Sequence, residues 1–549
     1  MDTMGKRYGM LLCHLVVIIS VLVLLQPTGY AKAGTPEVYL PTGFPQVVVV
    51  SGTNYDMGVQ YGEQTAHAIV HNLAIFKSKL YKAVTGGENT VSEDMKAWNV
   101  YLKRYDPTLA DWLNGISQGC KNRGYSVSYS DLVLLMVYPT ELWARPTNPY
   151  PPEMKTTAQK VSLLDRSNPL RPFHHSCNSF AATGAATPDG KPIHAITQMA
   201  DTEMMDNVIL LAFPKSGYSF VSQTYAGRVN ANSAMNSKGF AWSMTAILSN
   251  KPVWGLTEVY FHYLAQLVSS RADAVKYLQK TPRGGVAGGF ILSDPTGIEA
   301  FETNANVFSR RSPSAGKDFV VQTNHLVDPK LKAYNPPWLV HLATYARYDT
   351  VFEYLTEAAP GSVNFDFTKK LFASDDWYEK GAKTWHRNDP GAPNLSNDHT
   401  SINESIFHPS DLVAYLATGT PSGNGIPAYA TGEYVKIKLS TDPVKVTDQA
   451  DSYALSDYWK AADLFEKEMN KSPTSSYLTI PMISEIKRLL DKAMNAYSTG
   501  IDRAAYAYLT KNVQKSNALW GSALTGFAKA QLYAQEAVTI LGRAGGGNN

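Results

Sequence analysis

The stretch His174-His175-Ser176-Cys177-Asn178-Ser179-Phe180-Ala181-Ala182-Thr183-Gly184 is where this chain changes character. Before it, residues 139–176 hold seven prolines, at 139, 146, 149, 151, 152, 169 and 172, and few apolar runs, which is the composition of a loop or linker. After it come short segments of strand periodicity at 178–186, 191–198, 207–213, 218–224, 239–247, 288–293, 298–302 and 319–322. Turn pairs such as Asp189-Gly190 and Ser216-Gly217 separate them. Cys177 therefore stands where a linker meets the first strand. A structural thiol is usually packed inside an element as a small hydrophobe, so one at an element's edge calls for a chemical reading. If the Ser176–Cys177 bond is cut, Cys177 carries both its thiol and a free α-amine, whose ordinary pKa of about 8 suits a general base. Nucleophile and base are then one residue.

Working upstream, a short apolar strand around Val47–Val50 leads through Gly52-Thr53-Asn54-Tyr55-Asp56-Met57-Gly58 into helical periodicity over about 60–84 and 92–121, with 132–138 closing the segment. Downstream, helical segments at about 257–280 and 337–357 interrupt the strands, and 412–417 and 434–439 read as the last two strands. Runs of strands with runs of helices, without strict alternation, favour an α+β layered domain. From Ser452 to Gly542 the chain is rich in Ala, Leu, Lys, Glu and Tyr at helical spacing, which predicts three helices broken near 472–474 and 510–516. The aromatic stripe there, Tyr497, Tyr506, Tyr508, Trp520, Phe527 and Tyr533, reads as packing surface. The predicted organisation is 1–33 signal peptide, 34–176 helical segment and linker, 177–450 catalytic domain and 451–549 helical region.

The first residues set the compartment. Lys6 and Arg7 precede an apolar run from Met10 to Leu25, and Ala31-Lys32-Ala33 follows. The run is shorter than the roughly 20 residues a spanning helix needs, so a secretory signal cleaved after Ala33 is expected, with a periplasmic or extracellular product and no membrane span after its removal. Losing Lys6, Arg7 and Lys32 with Asp2 lowers the formal charge from +3 to +1. No basic stripe recommends nucleic acid or an acidic membrane as a partner. Of three cysteines, Cys13 leaves with the signal. Cys120 and Cys177 then either pair or stay free for chemistry.

The residues around Cys177 resemble the start of the mature catalytic chain in the acyl-coenzyme A:6-aminopenicillanic acid acyltransferase family of N-terminal-nucleophile hydrolases, related to choloylglycine hydrolases and phospholipase B-like proteins. Thr187-Pro188-Asp189-Gly190-Lys191, Asn236-Ser237-Lys238-Gly239-Phe240-Ala241, Thr323-Asn324-His325, Tyr345-Ala346-Arg347, Ser405-Ile406-Phe407-His408-Pro409 and Ala417-Thr418-Gly419-Thr420-Pro421 follow in that family's order, and Gly52–Gly58 and Gly115–Gly119 resemble its pre-nucleophile region. The resemblance implies a four-layer αββα sandwich that cuts itself between Ser176 and Cys177, leaving two associated chains. It implies that Cys177 attacks the carbonyl of a small N-acyl substrate, that the Asn324 amide and a backbone N–H at Thr245 serve the oxyanion, and that Arg347 binds a substrate carboxylate or braces the site. Asp201 is the nearest carboxylate to the position that orients the cysteine amine, with Asp206 its rival. Ser176 departs from the glycine common before the scissile bond. No metal or organic cofactor is called for. A phospholipase B-like deacylase and an inactive binding protein on the same fold are the alternative readings. There is no His-Glu-x-x-His, Cys-x-x-Cys or Gly-x-Ser-x-Gly, and Gly284–Gly289 leads into a strand, which lacks the geometry of a phosphate loop. Cys120, without a nearby His or carboxylate in sequence, reads as structural.

Overall fold

The computed structural model describes residues 46–83, parts of 88–103, 106–137, 176–199, 206–229, 232–247, 259–280, 287–304, 307–335, 344–374, 376–387, 389, 401–419, 433–471 and 477–545. The expected signal peptide, most of the Pro-rich linker, Pro421 and the last four residues lie outside the described residues.

Alternation along the strands builds the core. In β2 (Ser176–Gly184), Phe180 and Ala182 point to one face while Cys177, Ser179 and Ala181 point to the other, as a period of two requires. β2 pairs antiparallel with β3 (Gly190–Met199), which pairs with β14 (Ser401–His408). With β11 (Phe319–Gln322), β15 (Val413–Gly419) and β16 (Glu433–Lys438) they form a six-stranded sheet in the order β11-β2-β3-β14-β15-β16. The second sheet has eight strands: β1 (Gln46–Gly52), β4 (Asn207–Pro214), β5 (Phe220–Tyr225), β6 (Ser233–Asn236), β7 (Ala241–Ile247), β8 (Ala287–Asp294), β9 (Gly297–Asn304) and β10 (Val307–Arg311), neighbours in that order. Only β1 with β4 is parallel among its pairs.

The two sheets face each other across Ile209, Leu211, Val221 and Met235 on one side and Phe407, Ala414, Leu416 and Val435 on the other. The outer face of the eight-stranded sheet is covered by α1 (Asn54–Ala83), α2 (Pro107–Asn122), α3 (Tyr129–Val137), α4 (Val259–Leu267) and α5 (Arg271–Lys280), through Tyr61, Ile69, Trp112 and Ile116 against Val48, Leu210, Phe220 and Trp242. The outer face of the six-stranded sheet is covered by α6 (Thr344–Glu357) and α7 (Phe365–Phe372), through Val351, Leu355 and Phe372 against Phe180, Ala195 and Ile406. The result is the expected four-layer αββα sandwich, the architecture of N-terminal-nucleophile hydrolases, with a helical region added at its C-terminus.

The upstream glycines have a steric reason. A Cβ on Gly58 would come within 2.2 Å of the Trp112 carbonyl, one on Gly62 within 2.3 Å of Ile116's, and Gly115 and Gly119 meet α1 in the same way. Four glycines let the backbones of α1 and α2 touch, and Cys120 lies in that seam, buried, its thiol pushed up to about 12 by burial. Both described cysteines are free.

The added region consists of α8 (Pro443–Met469), α9 (Ile480–Leu509) and α10 (Val513–Gly545). α8 begins well before the expected Ser452, at a capping Asp442 followed by proline, a standard helix start. α10 lies along the open long edge of the sandwich, where β1 and β16 are the edge strands, and inserts Trp520, Leu524 and Phe527 between the sheets. Its side chains also pair the edges' main-chain groups. Val47 N donates to Thr525 Oγ1 at 3.1 Å, Lys436 N to Gln531 Oε1 at 3.0 Å and Tyr434 N to Gln535 Oε1 at 3.3 Å. An edge strand left bare is a template for pairing with other chains, and this helix removes both. Five strands lay outside the sequence reading, β6, β10, β12 (Trp377–Glu379), β13 (Thr384–His386) and β14, and the predicted helix 257–280 is divided into α4 and α5.

Candidate active site

Cys177 is the second residue of β2, fully buried, with its side chain between the sheets. Its backbone N–H donates to Asn324 Oδ1 at 2.8 Å, and its carbonyl accepts from Arg347 Nη1 at 2.7 Å. Arg347, in the first turn of α6, also donates to Asn178 Oδ1 at 2.6 Å and to Asn324 Oδ1 at 3.0 Å. Two donors thus converge on Asn324 Oδ1, while Asn324 Nδ2 faces the Ala246 carbonyl at 2.8 Å. That pattern fixes which way the amide points.

The sulfur sits in a donor-rich cradle. Burial pushes the Cys177 thiol above its ordinary range, opposed by the Arg347 charge, the Asn324 amide, the Ala246 backbone N–H and the Asn232 amide. Asn232 Nδ2 lies 4.0 Å from the sulfur. Burial lowers Arg347 to about 10, so the guanidinium remains charged at neutral pH. A thiol held up by desolvation and surrounded by donors is protonated at rest but has a place prepared for negative charge.

The strand ends and one turn hold this cradle together. Thr245 Oγ1 donates to the Thr323 carbonyl at 2.7 Å and lies 3.3 Å from the Gly289 carbonyl. Gln322 Nε2 donates to the carbonyls of Thr323 and His325, at 3.0 and 2.8 Å, clasping the turn that carries Asn324. Gly289 makes that possible, since a Cβ there would meet the Gln322 side chain at 2.5 Å. His325 is buried, within 3.1 Å of both Thr323 Oγ1 and Thr344 Oγ1 and stacked on Tyr345, and burial lowers its pKa to about 3. It is a neutral, satisfied histidine that supports the turn.

A second polar chain crosses between the sheets behind Cys177. His194 Nδ1 is 2.7 Å from Ser293 Oγ and Nε2 is 2.7 Å from Ser243 Oγ, which is 2.6 Å from Ser179 Oγ. Ser179 donates to the Ala195 carbonyl at 2.9 Å. One proton per link is obtained if Ser243 donates to Ser179, His194 Nε2–H donates to Ser243, and Ser293 donates to Nδ1. Burial lowers His194 to about 3, in keeping with this neutral imidazole.

The structure brings Cys177, Asn324 and Arg347 into direct contact and places Thr245 next to them through the Thr323 turn. Ser176 precedes Cys177 in β2 and pairs with Met199, so the peptide bond between Ser176 and Cys177 lies within the sheet. Asp201 lies outside the described residues. Its rival Asp206 is engaged elsewhere, with Oδ2 at 2.6 Å from His71 Nδ1 on α1. Two contributors were not named from sequence: the Ala246 N–H, which has no side-chain signature, and Asn232, one of three asparagines in Asn230-Ala231-Asn232-Ser233-Ala234-Met235-Asn236.

An αββα sandwich with a buried thiol near the start of an inner strand, facing side-chain and backbone amides, is the arrangement that the resemblance implied. The family model described as "Acyl-coenzyme A:6-aminopenicillanic acid acyl-transferase" matches residues 188–371, so the resemblance read from the motifs is found again over that span. The matched span carries Asn324 and Arg347 and begins after Cys177. An uncharacterized protein of Archaeoglobus fulgidus is 25% identical over 339 residues, 56% of this chain and 53% of the relative, so the chain spans about half the length of the curated relative it matches. Among solved structures, a Caenorhabditis elegans ortholog of N-acylethanolamine-hydrolyzing acid amidase is 14% identical, with a TM-score of 0.30 over 42% of this chain and 93% of that one. A mutant of the conjugated bile acid hydrolase from Clostridium perfringens is 12% identical, with a TM-score of 0.30 over 48% of this chain and 97% of that one.

Proposed function

We propose that the protein is an exported cysteine amidohydrolase or acyltransferase that acts on an N-acyl substrate through an acyl-Cys177 intermediate. The observation that carries this reading is the convergence of Asn324, Ala246 N–H, Asn232 and Arg347 on one buried thiol. In the proposed maturation, Cys177 Sγ attacks the Ser176 carbonyl carbon, the C–N bond to Cys177 breaks, and water releases the Ser176 carboxylate from the resulting ester to sulfur. The new α-amine remains beside Asn324 Oδ1, which accepts from the same nitrogen at 2.8 Å before cleavage.

In turnover the amine takes the thiol proton as sulfur attacks the substrate carbonyl. The oxyanion is met by the Asn324 amide and a backbone N–H at the end of β7, where Thr245 and Ala246 adjoin. The leaving amine takes the proton back, and water or an acceptor amine cleaves the thioester. Arg347 braces Cys177 and Asn324 and favours the thiolate by its charge. Assay of the purified full chain against N-acyl amides and against phospholipid esters, with Cys177→Ala as control, tests the reading. Release of amine by wild type and not by Cys177→Ala is expected, and turnover of esters alone would replace it by a lipid deacylase. Export is tested by fractionating expressing cells and sequencing the product's N-terminus. Product retained with residues 1–33 intact would contradict it.

A further inference from the structure

The junction of α9 and α10 exposes a compact apolar tip: Tyr506 60%, Tyr508 66%, Leu509 81% and Val513 60%. Tyr508 packs edge-on to the buried Trp520 at 5.3 Å, so the tip is anchored to the fold. Around it stand cations that are far apart in sequence. Lys511 and Lys515 flank Val513, and Arg503 lies one to two turns before Tyr508. Lys121 and Arg123, exposed at the end of α2, are brought alongside because Glu63 accepts from Asn122 Nδ2 at 2.6 Å and also from Gln514 Nε2. Among the described residues, Glu63 is engaged in those two bonds, Asp502 adjoins Arg503 in sequence and Asp111 lines the same depression as Lys121, so the cations nearest the tip are Lys511 and Lys515.

The tip lies at the end of the sandwich away from the nucleophile. Near its start α10 reaches Ser51, through Asn517 Nδ2 to Ser51 Oγ at 2.7 Å, and Ser51 pairs with Phe213 at the far end of β4. Cys177 belongs to the end defined by Gln198, Asn232 and Ala246.

We infer that this tip docks the protein on an anionic lipid surface, with Tyr506, Tyr508, Leu509 and Val513 entering the interface and Lys511 and Lys515 facing the headgroups. The four exposed apolar side chains supply burial at the headgroup boundary, and Lys511 and Lys515 supply the complementary charge. Docked this way, the nucleophile end faces water, so a water-soluble substrate reaches it without first leaving the bilayer.

The experiment is co-sedimentation of the purified full chain with vesicles of phosphatidylglycerol and phosphatidylcholine in equal parts, or of phosphatidylcholine alone. Binding to the anionic vesicles only, weakened by added salt, is expected. Lys511→Gln with Lys515→Gln should lower it roughly 25-fold, about fivefold for each charge. Leu509→Asp should lower it comparably, with solubility, processing and turnover of a soluble substrate unchanged. Equal binding by wild type and both variants, or no binding by wild type, overturns the inference. A wild-type dimer in gel filtration that Leu509→Asp makes monomeric, without vesicle binding, also overturns it and assigns the tip to a second copy.

Discussion

The Cys177 end and the open edge of this sandwich use the same chemistry for different purposes. At both, side-chain amides and hydroxyls satisfy main-chain groups that the sheets leave unpaired. Along the edge the match is one to one: Thr525, Gln531 and Gln535 each accept from one strand N–H. Around Cys177 the groups outnumber what the resting chain needs, with the Asn324 and Asn232 amides, the Ala246 N–H and the Arg347 guanidinium all near one sulfur. A matched set closes a structure. A surplus of donors around one buried atom is preorganised for charge that has yet to form.

The largest effect should come from breaking the edge. Removing residues 443–549 bares β1 and β16 together with the apolar residues that Trp520, Leu524 and Phe527 cover, and the product should aggregate. Soluble, monomeric truncated protein in gel filtration would show that the helices are dispensable for closure. At the other region, Asn324→Asp keeps the acceptor for Cys177 N and Arg347 but loses the amide donor and adds negative charge beside the sulfur. Acylation, measured on material already shown to be processed, should slow by about 100-fold or more with little change in binding. Turnover within a few-fold of wild type would reduce Asn324 to a turn residue. A finer test of the edge is Thr525→Val, which keeps shape and removes the acceptor for Val47 N. A loss of about 1–2 kcal/mol in denaturant unfolding with unchanged turnover is expected.

A separate test concerns pH. His194 and His325 are both lowered to about 3 by burial, against an ordinary value of 6.5. The unfolded chain therefore binds protons that the folded one does not between those values. Their contribution to stability is complete above about pH 6.5 and is lost as pH falls toward 3. His194→Gln should flatten the stability curve across that window. An unaltered slope would mean that other groups govern acid unfolding.

How much of this was legible follows from where each signal resides. Cys177, Asn324 and Arg347 are side chains in short ordered motifs, and the period switch at Cys177 marks the first inner strand, so the layered fold and three members of the site could be read. Ala246 acts through its backbone and Asn232 through a fold that selects it from neighbouring asparagines, so neither carries a local mark. β14 was visible only as the motif Ser405–Pro409, because its buried Glu404 and Ser405 interrupt the apolar alternation that signals a strand. The edge-covering role of α10 depends on β1 and β16, which are nearly 400 residues apart in sequence. The tip is similar, since the end of α2 comes beside the start of α10 only through Glu63, which accepts from Asn122 and Gln514.

The central claim is that Cys177 becomes an N-terminal nucleophile, and the most direct measurement is intact mass with N-terminal sequencing of the purified protein beside its Cys177→Ala variant. Two chains that stay together in gel filtration, the larger beginning at Cys177, with the variant remaining a single chain, is the result expected. A single uncut chain that nevertheless turns over substrate, or complete cutting of Cys177→Ala before residue 177, would contradict it.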